Sequence, residues 1–187
     1  HAGVAFVVCA LPCTLCKLRD NKRATHVNTL DEQHMRLAVI TANDARLRSR
    51  PNPWVGAVVV SQSGEVFTGA TLEPGNAHAE IVALSAAGNK AIGATLYSTL
   101  EPCSHTGRTG PCTAAIIESG IVRVVIGTLD PDTKVSGSGV QLLRNAGITV
   151  DVGVLEHDVR AQLAPYLHHR STGRSFVVLK MASTIDG

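Results

Sequence analysis

The sequence predicts an α/β protein, a three-layer α/β/α sandwich around a mixed sheet of about five strands. Hydrophobic residues make up 44% and charged residues 17% of the 187 positions, which is typical of a globular domain with a proper core. An apolar hairpin pattern occupies residues 55–71, and after it short apolar runs alternate with helical periodicity. Strands that alternate with helices place helices on both faces of one sheet.

The first predicted helix begins near Leu30. Asp31 and Glu32 lie in its first turn, where acidic side chains are favoured by the helix dipole. It is expected to end before Pro51, because the residue that precedes a proline is disfavoured in the α conformation.

A β-hairpin follows, with strands at 55–60 and 65–71 joined by a Ser-Gln-Ser-Gly turn at 61–64. The second predicted helix starts near Ala77. The stripe that we expect to face the sheet comprises Ala77, Ile81, Leu84 and Gly88.

The second half of the chain continues as strand, helix, strand, helix, strand, helix. The predicted strands are 94–99, 121–128 and 148–152. Of the three predicted helices, one begins at Cys112 and the other two span 139–146 and 156–163. Loops that follow parallel strands lie at one edge of the sheet, where open α/β proteins place their active sites. Residues 166–174 are interpreted as a polar connector, and residues 176–181 as a further strand without a partner.

Composition limits the possible partners and the compartment. With 17 basic and 15 acidic side chains the net charge is +2, which gives no support for a nucleic-acid partner. No apolar run reaches the roughly 20 residues of a membrane span, so we expect no membrane association. Five cysteines are an odd number and do not suggest a disulfide framework, and we therefore expect a reducing, cytoplasmic location.

The N-terminal segment, residues 1–26, differs from the rest and is predicted to be a poorly ordered extension. Cys9, Cys13 and Cys16 in it have the spacing of the iron–sulfur motif of radical S-adenosylmethionine enzymes. Such enzymes need a large barrel around the cluster, and the remaining chain predicts a different fold. The predicted division is this extension, a domain at 27–165, and a linker with the start of another domain at 166–187.

His78, Cys103 and Cys112 are candidate ligands of a catalytic zinc ion. One imidazole and two thiolates leave the fourth tetrahedral position open, whereas a structural zinc normally has four protein ligands. Zinc lowers the pKa of a bound water from about 15.7 towards about 7. Glu80 is the candidate proton carrier, and it must stay off the metal to keep its basicity. The alternative is a satisfied histidine and two buried thiols, but all these residues lie at segment ends.

His78 and Glu80 would lie about 200° apart in the middle of an ideal helix. We therefore expect both in the first turn, where they can face a point just ahead of the helix. A histidine, a glutamate two residues later, a Pro-Cys pair and a second cysteine form the signature of zinc-dependent nucleobase deaminases.

Residues 99–112, Thr-Leu-Glu-Pro-Cys-Ser-His-Thr-Gly-Arg-Thr-Gly-Pro-Cys, resemble the deaminase half of the bifunctional riboflavin-biosynthesis pyrimidine deaminase/reductase. Eight residues separate the two cysteines, whereas two are typical of nucleoside, deoxycytidylate and tRNA deaminases. The resemblance covers roughly residues 31–165, and residues 179–187 look like the opening of the reductase domain. The other blocks that resemble the family are 52–56, 78–80 and 130–131.

This resemblance implies a cytidine-deaminase-like fold and the hydrolytic deamination of diaminohydroxyphosphoribosylaminopyrimidine, a phosphorylated pyrimidine, to the aminouracil ribosyl phosphate. It implies that Zn²⁺ is the cofactor, that Glu80 moves protons, and that the chain forms a homo-oligomer. Without a reductase domain, no nicotinamide-dependent reduction is expected. The implied zinc ligands are His78, Cys103 and Cys112, and the implied substrate contacts are Asn52, His105, Arg108 and Asp130. Arg108 also suits a phosphorylated ribose on chemical grounds.

Two positions depart from the family pattern: Thr71 stands where a histidine is common, and Asp132 where many members have asparagine. Two other functions stay open. A cytidine or tRNA adenosine deaminase would predict a short Cys-x2-Cys pair and, for tRNA, a basic groove. A catalytically inactive binding module would keep zinc only to hold its fold.

Overall fold

A five-stranded mixed sheet forms the centre of the protein. The computed structural model describes residues 29–105, 110–132, 137–182 and 184. The strands are β1 (Gly56–Val60), β2 (Val66–Ala70), β3 (Thr95–Leu100), β4 (Arg123–Thr128) and β5 (Thr149–Val152). Their order across the sheet is β2-β1-β3-β4-β5. β1 is antiparallel to both neighbours, and β3, β4 and β5 run parallel. The predicted hairpin and mixed sheet are confirmed.

Six α-helices accompany the sheet in the described part of the chain. They are α1 (Thr29–Ala42), α2 (Ala79–Ala87), α3 (Cys112–Glu118), α4 (Ser138–Asn145), α5 (Glu156–Gln162) and α6 (Ala164–Thr172). Helix α1 packs on β1 and β3 and contacts α5, whereas α2 packs on β1 and β2 and contacts α3. None of the helices within the described ranges is long and apolar enough to cross a membrane.

Two glycines show that α1 and α2 cover opposite faces of the sheet. A Cβ at Gly56 would lie 2.0 Å from the carbonyl oxygen of Ala38 in α1, and a Cβ at Gly69 would lie 2.3 Å from that of Ala79 in α2. Gly69 pairs with Ala57, the residue after Gly56. Because successive strand residues point to opposite faces, the two helices lie on different sides. The three-layer α/β/α prediction is confirmed.

The predicted sheet-facing stripe of α2 is confirmed at Leu84 and wrong at its other three positions. The helix begins two residues later than predicted, and its buried apolar residues are Ala79, Ala83, Leu84 and Ala87, while Gly88 is exposed. The close approach to Gly69 leaves room only for small side chains, so alanines occupy the contact and Ile81 is only half-buried.

The predicted connector at 166–174 is also wrong, because α6 occupies most of it. Pro165 lies in the first turn of this helix, where a proline is favoured, and Gly173 ends it in the left-handed conformation. Leu167 is buried and holds the helix against the core. The predicted strand at 176–181 is absent as well: the described residues there form no strand and expose their apolar side chains.

Candidate active site

A pocket of about 420 Å³ opens at the edge of the sheet where β3 and β4 end. Leu100 is the last residue of β3, and Glu101 and Cys103 follow it into the pocket wall. Asp130 follows β4 to the same place. β1 runs the opposite way, so Val55, just before its first residue, reaches this edge as well. The location is the one predicted from strand polarity.

The backbone at His78 explains how two residues only two positions apart face one pocket. His78 is the N-cap of α2 with φ −74° and ψ 165°, an extended conformation, while Glu80 lies in the first helical turn. The extended cap removes the helical relationship between the two side chains. Both line the pocket, and Glu80 is buried.

The side chains of His78, Cys103 and Cys112 meet at one point. Nδ1 of His78 lies 3.6 Å from Sγ of Cys103 and 3.3 Å from Sγ of Cys112, and all three donor atoms lie within 4.8 Å of one another. Tetrahedral zinc with ordinary Zn–S and Zn–N bonds places a sulfur and a nitrogen ligand about 3.6 Å apart. The donor types and their separations therefore fit a zinc ion bound by three protein ligands.

The electrostatics of the two thiols favour a cation. The neighbouring Cys112 thiol, His78 and the Cys112 backbone N–H lower the pKa of Cys103. The same pairing with Cys103, together with burial, raises the pKa of Cys112. A dication at this position would favour the thiolate form of both cysteines, because cysteine binds a metal ion in its deprotonated form.

Glu80 is a buried carboxyl beside this cluster. Burial raises the pKa of Glu80 to about 7, and the negative charge of Cys103 acts in the same direction. A group with a pKa near neutrality both accepts and releases protons, which suits general acid–base catalysis.

A comparison with known protein families supports a zinc site here. The family profile described as the cytidine and deoxycytidylate deaminase zinc-binding region matches residues 28–128, more than half of the chain. The chain belongs to this zinc-binding deaminase family. Its fold is cytidine-deaminase-like, as predicted, and the family's metal is the one that the three-residue cluster fits.

The similar proteins include riboflavin biosynthesis proteins and one solved deaminase/reductase. The riboflavin biosynthesis protein RibD of Aquifex aeolicus (strain VF5) is 50% identical over 161 residues, which are 86% of this chain and 45% of the relative. The solved diaminohydroxyphosphoribosylaminopyrimidine deaminase/5-amino-6-(5-phosphoribosylamino)uracil reductase of Thermotoga maritima is 46% identical with a TM-score of 0.80, over 85% of this chain and 46% of that one. Acinetobacter baumannii RibD has the same TM-score at 40% identity, over 85% and 45%. This deaminase spans a little under half the length of the curated relatives that it matches.

Three of the four predicted substrate contacts of this deaminase line the pocket, namely Asn52, His105 and Asp130. Arg108, like Cys9, Cys13 and Cys16, lies outside the described residues. Asp130 is buried, and this desolvation raises the pKa of its carboxyl.

The two departures from the family pattern also lie in the pocket wall of the deaminase. Thr71 is buried, and its Oγ1 accepts a hydrogen bond from the backbone N–H of Val55 at 3.2 Å. A hydroxyl at this position thus supports the entry to β1. Asp132 forms an ion pair with Arg170.

Sequence reasoning missed two pocket residues, Tyr166 and Arg170. Both belong to α6, a segment that was predicted to be a connector. The Tyr166 hydroxyl donates a hydrogen bond to Oδ2 of Asp130 at 2.9 Å, and Arg170 Nη1 lies 3.4 Å from Oδ2 of Asp132. The signal was available in the sequence: Pro165 suits the start of a helix, and a spacing of four residues puts both side chains on one helical face.

Proposed function

We propose that this chain catalyses the hydrolytic deamination of diaminohydroxyphosphoribosylaminopyrimidine to the aminouracil ribosyl phosphate and ammonia, within riboflavin biosynthesis. The observation that carries the proposal is the zinc-type cluster beside buried Glu80 in a chain 50% identical to a RibD protein over 86% of its length. The separation of Cys103 and Cys112 by eight residues supports this substrate over cytidine or tRNA adenosine.

We assign the metal to His78, Cys103 and Cys112. A zinc ion held by these three residues would supply Lewis-acid activation of a water molecule at neutral pH. Glu80 accepts a proton from the attacking water and delivers it to a ring nitrogen of the pyrimidine. The water oxygen forms a bond to the ring carbon that carries the exocyclic amine. Glu80 then transfers a further proton from the added hydroxyl to this amine, the carbon–nitrogen bond breaks, and ammonia leaves without any redox change.

The position of Glu80 suits this sequence of proton transfers. Its side chain is buried, and this burial favours the protonated form of the carboxyl, which suits a group that acts first as a base and then as an acid. Around it, Asn52, His105 and Asp130 supply polar groups for the ring and the ribose, and their individual roles are part of the proposal.

The deciding experiment measures ammonia release. The zinc-loaded chain is incubated with the phosphorylated pyrimidine, and in parallel with cytidine and with a tRNA that contains the target adenosine. We expect release from the riboflavin intermediate alone. Release from either of the other substrates, with none from the intermediate, would assign a different deaminase activity. No release from any of them would support the catalytically inactive binding module.

We also infer a homo-oligomer, a cytoplasmic location and no nucleic-acid partner. The first inference rests on the family resemblance, and the other two rest on the cysteine content and the small net charge. Residues 176–181 form no strand in the described part of the chain, so they supply no sheet edge that could support the assembly. Sedimentation velocity measures the assembly state directly.

A further inference from the structure

Helix α6 contributes one wall of the pocket, although the family match ends at residue 128. Tyr166 and Arg170 lie one turn apart on this helix and both line the pocket. The guanidinium carbon of Arg170 lies 5.4 Å from the centre of the Tyr166 ring, and Nη1 lies 3.4 Å from Oδ2 of Asp132. Two neighbours therefore hold the guanidinium in place, and its side chain is still 42% exposed at the pocket mouth.

The charge around Arg170 makes it unusual. Among the lining residues within the described ranges, it is the only arginine or lysine, and it stands against four carboxyl groups. These are Glu80, Glu101, Asp130 and Asp132. Asp130 and Asp132 lie beside Arg170, and a phosphate group that binds near these two carboxyl groups is favoured by an adjacent cation. Arginine suits this task because its planar fork of N–H donors matches phosphate oxygens.

The ion pair with Asp132 leaves Arg170 able to bind a second anion. A guanidinium carries five N–H donors, and the ion pair with Asp132 joins one of its nitrogens, Nη1, to Oδ2. The contact with the face of the Tyr166 ring restrains the guanidinium, which reduces the side-chain entropy lost when a ligand binds. Tyr166 is itself held by its hydrogen bond to Asp130. The arrangement is therefore preorganised from the helix side of the pocket.

We propose that Arg170 is a specificity-determining residue that binds the phosphate group of the substrate at the pocket mouth. Its role is to select a phosphorylated pyrimidine riboside over the same compound without phosphate, in addition to any contact made by Arg108. The identity of the substrate rests on the proposed function above, whereas the recognition of a ribose phosphate does not.

The kinetic test compares the phosphorylated pyrimidine with its dephosphorylated form in wild type, R170Q, R170K and R174Q. We expect R170Q to lower kcat/KM for the phosphorylated compound by roughly 10- to 100-fold through KM, the scale of a lost charge-assisted hydrogen bond. The ratio of kcat/KM for the phosphorylated compound to kcat/KM for the dephosphorylated compound should fall by roughly tenfold or more. R170K should recover part of the loss, since a point charge replaces the fork.

R174Q is the matched control, because Arg174 is exposed, lies just beyond α6 and does not line the pocket. It removes the same charge and should behave as wild type. Circular dichroism and the thermal midpoint establish that each variant is folded. An equal loss by R170Q on both compounds, or an equal loss in R174Q, would overturn the assignment.

A binding test separates this proposal from the proposed function. Zinc-loaded wild type is titrated with ribose 5-phosphate and with ribose by calorimetry, and the titration is repeated with R170Q and R174Q. We expect the wild type and R174Q to prefer ribose 5-phosphate, and R170Q to lose roughly tenfold or more of that affinity. If wild type shows no preference, or R170Q keeps it, Arg170 is not the phosphate site. If the wild type binds ribose 5-phosphate but does not deaminate the riboflavin intermediate, the proposed substrate is refuted and the phosphate site at Arg170 is not.

Discussion

The carboxylate of Glu101 accepts a hydrogen bond from the backbone N–H of Gly139 at 3.0 Å, which ties the end of β3 to the start of α4. The same side chain accepts three more backbone N–H bonds, from Asp130, Gly137 and Val140, at 3.0 to 3.3 Å. Glu101 is buried and lies two residues before Cys103. The Glu101 carboxylate thus joins the loop that carries Cys103 to the loop that carries Asp130.

Glu101→Gln should destabilise the protein by about 2–3 kcal/mol, although the shape of the side chain is kept. An amide offers one acceptor oxygen, so its NH₂ group faces backbone donors and leaves buried N–H groups unpaired. Urea denaturation at pH 7 measures the free energy of unfolding. Glu118→Gln is the control, since Glu118 is exposed at the end of α3. Equal unfolding free energies for the two variants would contradict a stabilising role of the hydrogen bonds that Glu101 accepts.

Cys103→Ala should reduce bound zinc from about one ion per chain to well below one, and should lower the thermal midpoint. The remaining two ligands provide too few donors for a stable site, and metal binding is coupled to folding. Elemental analysis of the purified protein gives the stoichiometry. Ser104→Ala changes the neighbouring residue, whose hydroxyl contacts Ser138 rather than the cluster. It should keep its zinc, and a full zinc content in Cys103→Ala would refute the ligand assignment.

Treatment of wild type with a strong chelator should produce the same fall in thermal midpoint. Cys103→Ala should then show little further change with chelator, because it has already lost the ion. Re-addition of Zn²⁺ should restore the wild type alone. A midpoint that is insensitive to chelator in wild type would show that the metal contributes nothing to stability.

The sheet and the ligand cluster could be predicted because their signals are local. Apolar runs and turn residues identify the strands, and strand polarity then brings Cys103 and Asp130 to one edge. The ligand types and the helix-starting position of Cys112 made zinc the natural interpretation.

The missed features depend on contacts between distant parts of the chain. Glu101 finds its partners 29 to 39 positions away, and no periodicity reports such bonds. The error at α6 has a different cause: Pro165 is compatible with the end of one helix and with the first turn of the next. Only the burial of Leu167 and the bond from Tyr166 to Asp130 show that the chain folds back onto the pocket.

Asp31→Asn should lower stability at neutral pH, and the difference from wild type should shrink in acid. Asp31 is buried and accepts two hydrogen bonds from Arg123, at 2.8 and 2.9 Å, and a third from the Tyr97 hydroxyl at 2.8 Å. The Arg123 bonds hold the pKa of Asp31 below its usual value. Because the pKa of Asp31 is lower in the folded protein, its carboxylate stabilises the fold fully at pH values above the unfolded-state pKa of about 3.9. This stabilisation is lost as the pH falls through the folded-state pKa.

Urea titrations from pH 7 to pH 3 measure this dependence. We expect a deficit of about 1–3 kcal/mol for Asp31→Asn at pH 7, which narrows below pH 4. Asp44→Asn, on an exposed turn after α1, should follow wild type throughout. A deficit that stays constant from pH 7 to pH 3 would exclude the carboxylate charge as its source.

Glu80→Gln should keep the fold and the zinc content but lose roughly 10³-fold or more in kcat. The substitution preserves the size of the side chain and removes its ability to accept a proton from water, and positioned acid–base groups typically contribute 10²- to 10⁴-fold. Because Glu80 is not in the metal cluster, zinc should remain at the wild-type level. Glu73→Gln, an exposed acid just before α2, is the matched control and should retain wild-type turnover. Elemental analysis and ammonia release on the same samples separate the two roles. A Glu80→Gln protein that loses its zinc would make Glu80 a structural part of the metal site, and one that keeps normal turnover would remove it from the proton path.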